Sequence, residues 1–356
     1  MMRVLKMIIP AVFAAVMTAS CDFRPLVEPG NTHYVRVYLD ERILNVTEGF
    51  YNPDHVRPEY KRPEVMKITL GDKSSGTVVA ERYLRNHGED ATGFYYEGYV
   101  ICEPGDWSLL SWNFGTSSTL ISDPTEQYVT KAYTNKIASH LMSNLPSRLN
   151  KKSSDGTKAD ENLKPEKIVY EPDHLFVSRS GDVKVPYSNK IDTLRTPDGD
   201  FFTASTIVES WYIQINVKGL KYVSSALALM TGLSGSKTLY DSEIDRDDDV
   251  TDYFEMIADP VPEGGDTGVI YATFSTFGKI PRVKSDIEFT IDFMTNYGKA
   301  VSATVDITDE FKKENAIKHQ WIILDKVIEI PDPPKNTGGF APGVNDWKDI
   351  NTDLII

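Results

Sequence analysis

Apolar and polar residues alternate along several short stretches of the chain. Between Trp211 and Val217 an apolar or aromatic residue stands at every odd position, and the even positions are mostly polar. A period of two is the pattern of a β-strand with one buried face. Alternation or short apolar runs predict further strands at 33–40, 64–70, 77–84, 94–102, 107–114, 168–177, 226–233, 269–274, 287–293, 299–307, 321–330 and 347–356.

A single helix is predicted between Asp123 and Pro146. The tetrapeptide Asp123-Pro124-Thr125-Glu126 has the form of a capping box, with proline at the first helical position. Apolar or aromatic residues then recur at every fourth position, at Val129, Tyr133, Ile137 and Leu141. This spacing places them on one helix face, which we expect to pack across a sheet.

The strand pattern predicts an all-β fold of antiparallel β-sandwiches. The stretches 94–102 and 107–114 are expected to pair as a hairpin around Pro104-Gly105. The turn-rich stretch 189–200 is the expected domain boundary. It divides the chain into an N-terminal domain, 33–200, with the one short helix, and a C-terminal domain, 201–356.

The first residues have the form of an export signal. A basic start precedes the apolar run from Met7 to Val16, and small residues lead into Cys21. The run is too short to span a membrane as a helix. A cysteine at this place resembles a bacterial lipobox, with Thr18 where leucine is usual, and the alternative is an ordinary signal peptide followed by a chance cysteine. We predict a lipoprotein signal peptide over 1–20, lipidation such as palmitate at Cys21, and a tether over 21–32 at the outer membrane or cell surface.

Charge and cysteine content narrow the function classes. The net charge is −14, and it becomes more negative once Arg3 and Lys6 leave with the signal peptide. Such a chain is unsuited to nucleic acid, because phosphates are neutralised by clustered lysine and arginine. Cys102 is the only other cysteine, so we expect no disulfide framework within the chain and a buried apolar role for Cys102.

No catalytic, cofactor or metal motif is found. The histidines are scattered, without a pair at ligand spacing. The acidic run in 241–249 lacks the glycine and the glutamate of an EF-hand; a solvated loop and an irregular Ca²⁺ site both stay open for it. The stretch 232–238 has the spacing of neither a phosphate loop nor a nucleophile elbow. We therefore predict no enzyme and no cofactor.

Aromatic residues are concentrated in one part of the N-terminal half, at Tyr95, Tyr96, Tyr99, Trp107 and Trp112. Exposed rings of this kind stack on sugars, whereas rings on the inner face of a strand belong to a core. The sequence leaves both interpretations open.

Three stretches resemble the fimbrillin-like superfamily of Bacteroides-type bacteria. Gly105 to Asn113 is similar to a hairpin of that superfamily, and Trp211–Gly219 with Ala226–Gly232 resembles the strand pair that opens its second domain. The ending from Val344 resembles its C-terminal strand. The resemblance implies two tandem transthyretin-like β-sandwich domains on a lipidated precursor displayed at the cell surface.

The resemblance also implies a mode of assembly. Stalk subunits of the superfamily lose an N-terminal strand after cleavage at an arginine and accept a strand from a neighbour. Here Arg42 and Arg57 follow the first strand, and the strands 34–39 and 347–356 are the candidates for release and donation. We predict a structural or adhesive surface subunit without catalysis, whose partners are other fimbrial subunits or a host or glycan ligand. The alternative is a glycan-binding lipoprotein of a polysaccharide-uptake system.

Overall fold

The computed structural model describes residues 31–42, 52, 54–55, 61–142, 144–148, 166–188, 190–259, 261–281 and 287–334. Within these residues nearly all regular structure is β-strand, which confirms the predicted all-β class. The strands of the first half are β1 (Thr32–Leu39), β2 (Val65–Asp72), β3 (Val78–Leu84), β4 (Asn86–Asp90), β5 (Gly93–Ile101), β6 (Gly105–Phe114), β7 (Thr119–Ser122), β8 (Lys131–Thr134), β9 (Ile168–Tyr170), β10 (Phe176–Val185), β11 (Asp192–Thr193) and β12 (Phe202–Thr206). Those of the second half are β13 (Glu209–Lys218), β14 (Val223–Ser234), β15 (Ser236–Thr238), β16 (Asp249–Ala258), β17 (Thr267–Thr276), β18 (Glu288–Thr295), β19 (Ala300–Asp306) and β20 (Trp321–Glu329).

The first sheet has the strand order β3-β2-β6-β10-β12-β1-β5-β4, with β11 added beside β1. Its two terminal strands, β3 and β4, are consecutive in the chain and only Arg85 lies between them. The sheet therefore curls back on itself and encloses a core. That core takes the inward residues of each strand, among them Val35, Met66, Tyr96 and Leu109.

The second sheet has the order β19-β18-β14-β16-β17-β13-β20, with β9 added beside β16. The alternation predicted for 211–219 is confirmed, because Trp211, Ile213, Ile215 and Val217 all lie in its buried core. Most neighbours are antiparallel, as predicted, but β13 and β20 pair in parallel, and so do β9 and β16.

A small third sheet, β15-β8-β7, joins segments from the two halves of the chain. A further apolar cluster packs nearby and contains Trp112 and Val177 of the first sheet together with Leu239 and Phe277. Strand β9 pairs in the second sheet and β12 in the first, so the halves are interleaved around residues 168–206. The boundary at residue 200 stays a prediction.

The helix predicted between Asp123 and Pro146 is wrong in most of its length. The region forms turns, then β8, then a helix of four residues, α1 (Ser139–Met142). Asp123 has a positive φ of 50° and so cannot act as a conventional N-cap. In β8 the period is two, with Ala132 and Thr134 buried, and pairing to β7 and β15 satisfies the backbone that a helix would have satisfied internally.

The hairpin predicted from 94–102 and 107–114 is also wrong, although both strands exist. Strand β5 pairs with β1 and β4, whereas β6 pairs with β2 and β10. Phe94 of β5 and Leu109 of β6 instead belong to the same core. The Pro104-Gly105 segment therefore carries the chain across the core, from one layer to the other.

Several elements of the second half were not predicted, among them the short strand β15. Strand β16 follows directly on the acidic run, and its residues from Val250 to Phe254 are all buried, so it lacks the alternation by which other strands were predicted. A further helix, α2 (Glu314–His319), lies before β20, in the half of the chain for which no helix was predicted.

Candidate functional site

The two ends of the chain lie outside the described residues. Cys21, the tether as far as residue 30 and the strand predicted at 347–356 therefore stay predictions, whereas Thr32, the predicted end of the tether, is the first residue of β1. In the part of the chain that the structure describes, no helix is long and apolar enough to cross a membrane. The described element nearest in sequence to Cys21 is β1, and its surroundings define the candidate site.

Strand β1 lies inside the first sheet and has hydrogen-bonded neighbours on both sides. It pairs antiparallel with β5 over the whole length from Thr32 to Tyr38. On its other side it pairs in parallel with β11 and then with β12. Removal of β1 would leave a groove with unpaired backbone groups along both walls, which is the geometry that accepts an added strand.

The inward face of β1 is apolar apart from one histidine. Val35 and Val37 are completely buried, and Val37 lies level with Tyr96 of β5 and Phe202 of β12. His33 is completely buried as well. Burial lowers the pKa of His33, against the opposing effects of the Cys102 backbone and the Asp192 carboxylate.

The outward face of β1 forms a tyrosine–arginine cluster with β5, consisting of Tyr34, Arg36, Tyr38, Tyr95, Glu97 and Tyr99. The strand register brings Tyr34 opposite Tyr99, Arg36 opposite Glu97 and Tyr38 opposite Tyr95. Tyr34 and Tyr99 meet edge to face, with ring centres 5.7 Å apart. Cross-strand pairs of this kind stabilise a sheet on the face away from its core.

Arg36 is the centre of this cluster. One of its terminal nitrogens donates to Glu97 Oε2 at 2.8 Å, and the other lies 3.1 Å from Asp90 Oδ2. The guanidinium also covers the Tyr95 ring at 3.7 Å. Burial alone would lower the pKa of Arg36, but the hydrogen bonds to Tyr38, Tyr34 and Glu97 outweigh it and raise the pKa.

The hydroxyl of Tyr34 donates to the Glu97 carboxylate. Burial, reinforced by this hydrogen bond, raises the pKa of Tyr34 to about 12. The phenol is therefore neutral at any physiological pH and acts as a fixed donor. The sequence pointed to Tyr95 and Tyr99 of this cluster but not to their partners on β1. The available signal was that the polar face of β1 carries two tyrosines and an arginine in place of short polar side chains.

The chain leaves β1 through a short exposed segment. The Arg42 side chain is 83% exposed and its Nη2 lies 2.5 Å from Asp40 Oδ2. Asp40 itself continues the strand pairing, because its N–H donates to the carbonyl of Ala204 at 2.8 Å. Arg42 is thus accessible to a protease, whereas Arg57 lies outside the described residues.

The two tryptophans do not form a sugar-binding platform. Trp112 is 2% exposed and belongs to the apolar cluster beside the third sheet. Trp107 is partly buried against the first core, and its Nε1–H donates to the Glu103 carbonyl at 2.9 Å. The exposed ring of the predicted aromatic group is Tyr99, at 52%.

Cys102 has the buried position expected for it, and burial raises the pKa of its thiol to about 11. A thiol with such a pKa is protonated and unreactive at neutral pH.

Two carboxylates of the acidic run form ion pairs with lysines. Asp245 Oδ2 lies 2.9 Å from Lys131 Nζ, and Asp248 Oδ1 lies 2.7 Å from Lys167 Nζ. Among the described residues, no group of three histidine, cysteine or carboxylate side chains converges as a metal site would require. The neighbouring stretch 232–238 forms the end of β14 and β15, not a loop before a helix.

Comparison with known proteins assigns the chain to a family. The family described as "Domain of unknown function (DUF5119)" matches residues 63–255, which is more than half of the chain. The chain belongs to the DUF5119 family. The resemblance to the fimbrillin-like superfamily, predicted from the sequence, is confirmed as well.

Two relatives of this DUF5119 protein come from Bacteroides ovatus. One is named "Putative fimbrium anchoring subunit Fim4B", and it is 21% identical over 80% of this chain and 82% of its own length. The other is the crystal structure of a "putative adhesin", with a TM-score of 0.53, 19% identity and coverage of 87% of this chain and 96% of that one. It shows that the two proteins share a fold. The fimbrial anchor protein Mfa2 of Porphyromonas gingivalis also matches, with a TM-score of 0.42 and 13% identity over 82% of this chain and 87% of its own.

Proposed function

We propose that the protein is a lipid-anchored cell-surface subunit of the fimbrial type, with a structural or adhesive role and no catalytic activity. The observation that carries this proposal is the likeness to a fimbrium anchoring subunit over 80% of the chain. The lipobox-like Cys21 and the shared adhesin fold support it. Other fimbrial subunits are the proposed partners.

We further propose that this subunit keeps β1. Cys21 precedes β1 in the chain, so cleavage after Arg42 would remove the lipid together with the strand. The tyrosine–arginine cluster holds β1 to β5 on the outer face, while Val35 and Val37 hold it from within. Strand addition would then take place at other edges, or through the chain end at 347–356, and the lipid would serve as a membrane anchor.

Metabolic labelling with radioactive palmitate tests the anchor. The wild-type protein should incorporate label and begin at Cys21 when its surface form is sequenced from the N-terminus, and Cys21→Ala should not be labelled. A surface form that begins at Ile43 and carries no lipid would contradict the retention of β1. Association with other fimbrial subunits is measured in the same cells by crosslinking and purification of the wild-type protein.

Binding of a glycan remains a second candidate function, because Tyr99 presents a half-exposed ring next to Tyr34. The buried position of Trp112 and the packing of Trp107 count against the platform expected from the sequence. A glycan array with wild type and Tyr99→Ala decides this. Hits that disappear in Tyr99→Ala would favour the glycan-binding function, and an array without hits would remove it.

A further inference from the structure

One described residue of the segment that follows β1 lies on the second sheet. His55 is 4% exposed, although Pro53 and Pro58 stand close to it on either side in the sequence. Its Nδ1 lies 2.6 Å from the Tyr212 hydroxyl, and its Nε2 lies 2.7 Å from Asp259 Oδ2. Both partners belong to the second half of the chain, more than 150 positions away in sequence.

The imidazole also stacks on an aromatic ring. It is parallel to the Tyr271 ring within 4°, and the ring centres are 3.7 Å apart. Tyr212 and Tyr271 form a small buried cluster on the face of β13 and β17 opposite to the main core, and Trp321 and Ile323 of β20 pack against it. His55 therefore occupies a slot in which the Tyr271 ring stacks on the imidazole, and the Tyr212 hydroxyl and the Asp259 carboxylate lie at its two ring nitrogens.

Local structure presents His55 to this slot. The N–H of His55 donates to the Asn52 carbonyl at 3.2 Å, and the N–H of Asp54 donates to Asn52 Oδ1 at 3.0 Å. These bonds form a side-chain-capped turn, which is typical of an Asn-Pro-Asp sequence. The slot is also ordered on its own side, because the Tyr212 hydroxyl donates to Gln214 Oε1 at 2.7 Å.

The contacts of His55 connect the first sheet to the second. The segment leaves the first sheet at the end of β1 and returns to it at β2, but His55 between them is bound to the second sheet. This contact ties the two sheets together independently of the chain connection from β12 to β13.

We propose that His55 and its slot, formed by Tyr212, Tyr271 and Asp259, are a latch between the two sheets. The latch binds the turn formed by Asn52, Asp54 and His55 to the second sheet, and so slows proteolysis at the bonds that flank this turn. The proposal concerns the purified chain alone and does not depend on the proposed fimbrial function, so each can fail without the other.

Limited trypsin digestion of the purified protein tests the latch. Arg42 and Lys61 flank the segment, and Arg57 is followed by proline, a bond that trypsin cleaves poorly. In His55→Ala we expect cleavage after Arg42 or Lys61 to be about tenfold faster, since local opening governs such cleavage. His319→Ala is the matched control, because His319 also stacks on a ring of the second half, Trp321, at 4.3 Å. The control should be cleaved at the wild-type rate.

Milder variants guard against simple misfolding. Tyr212→Phe and Asp259→Asn each remove one partner of the imidazole, and each should accelerate cleavage by about two- to fivefold with an unchanged circular dichroism spectrum. In the His55→Ala background neither should have a further effect, because their partner is gone. Cleavage of His55→Ala at the rate of His319→Ala, or effects that multiply in the double variants, would overturn the latch.

Discussion

The guanidinium of Arg36 lies 3.7 Å from the centre of the Tyr95 ring, although the strand register places Arg36 opposite Glu97. The contact is diagonal between β1 and β5, and long side chains reach such a neighbour readily. Arg36 thereby binds a carboxylate and a ring of the same strand. Strand β1 is consequently held on both faces, which is the physical basis for the proposal that the subunit keeps it.

Arg36→Ala should lower the free energy of unfolding by about 2–3 kcal/mol, because Glu97 and Asp90 lose a partner and the Tyr95 ring loses its cover. Arg36→Lys should lose less, since it keeps the charge but not the forked geometry. Urea denaturation measures both. Arg85→Ala, at the exposed turn between β3 and β4, is the control and should change stability by less than about 0.5 kcal/mol. Equal effects at the two arginines would contradict the role of the cluster.

Val37→Ala tests the inner face of β1. Val37 is completely buried, so the truncation should cost about 2 kcal/mol from lost burial and the cavity left behind. Hydrogen exchange should show the β1 amides losing protection. Val79→Ala, on the half-exposed edge strand β3, should be nearly neutral. If β1 kept its protection in Val37→Ala, its retention would not rest on this packing.

Glu171 should make the protein less stable as the pH rises. Burial raises the pKa of Glu171 to about 7 from its ordinary 4.5, opposed by the Ser275 N–H, which donates to Oε2 at 2.8 Å, and assisted by Asp173. Between pH 4.5 and 7 the folded chain holds a proton that the unfolded chain releases, so the contribution of Glu171 to stability falls over this window by about 3 kcal/mol and is then constant. Glu171→Gln should reduce this fall in thermal melts recorded at several pH values, and the remaining part should come from Asp252, whose pKa is raised by burial and by Glu171. An unchanged profile in that variant would assign the fall to another group.

His33 should make the protein less stable as the pH falls, which is the opposite of the effect of Glu171. Its pKa is lowered by burial from the ordinary 6.5, so below about 6.5 the unfolded chain binds a proton more readily than the folded chain. Stability should therefore decrease as the pH falls from this value, because charging His33 within the core beside Val35 is unfavourable. His33→Leu removes one titrating group and should make this limb of the melting profile shallower, whereas His174, whose pKa is also lowered by burial, should still contribute to it. His87→Leu, at an exposed histidine of β4, should leave the limb as it is in the wild type.

The strands of this protein could be located from the sequence because their inner faces are almost uniformly apolar. The stretches containing Val35 and Ile213 show this alternation, and both are buried as predicted. The helix predicted from the capping box at Asp123 failed because the i, i+4 spacing of Val129 and Tyr133 coexists with the period of two in β8. Pairing with β7 and β15, which lies far away in sequence, decided between the two periods.

The sequence predicted less of the candidate site than of the fold. Tyr34, Arg36 and Glu97 lie on strands that the sequence located correctly, but their contact requires β1 to be the neighbour of β5. His55 gave no periodic signal at all, and its slot is assembled from β13, the end of β16 and β17. Such contacts depend on strand order, and strand order is set by how the whole core is enclosed.

The sequence by itself therefore determined the all-β class and the positions of most strands, because these follow from the local period, and the anchor at Cys21 stays a prediction. Only the tertiary structure decided that β1 lies between β5 and β12, that β5 and β6 face each other across a core, and that His55 reaches the second sheet. The residues of a strand determine which of its faces is buried. Which strands pair with it depends on the burial of all the other strands in the same core.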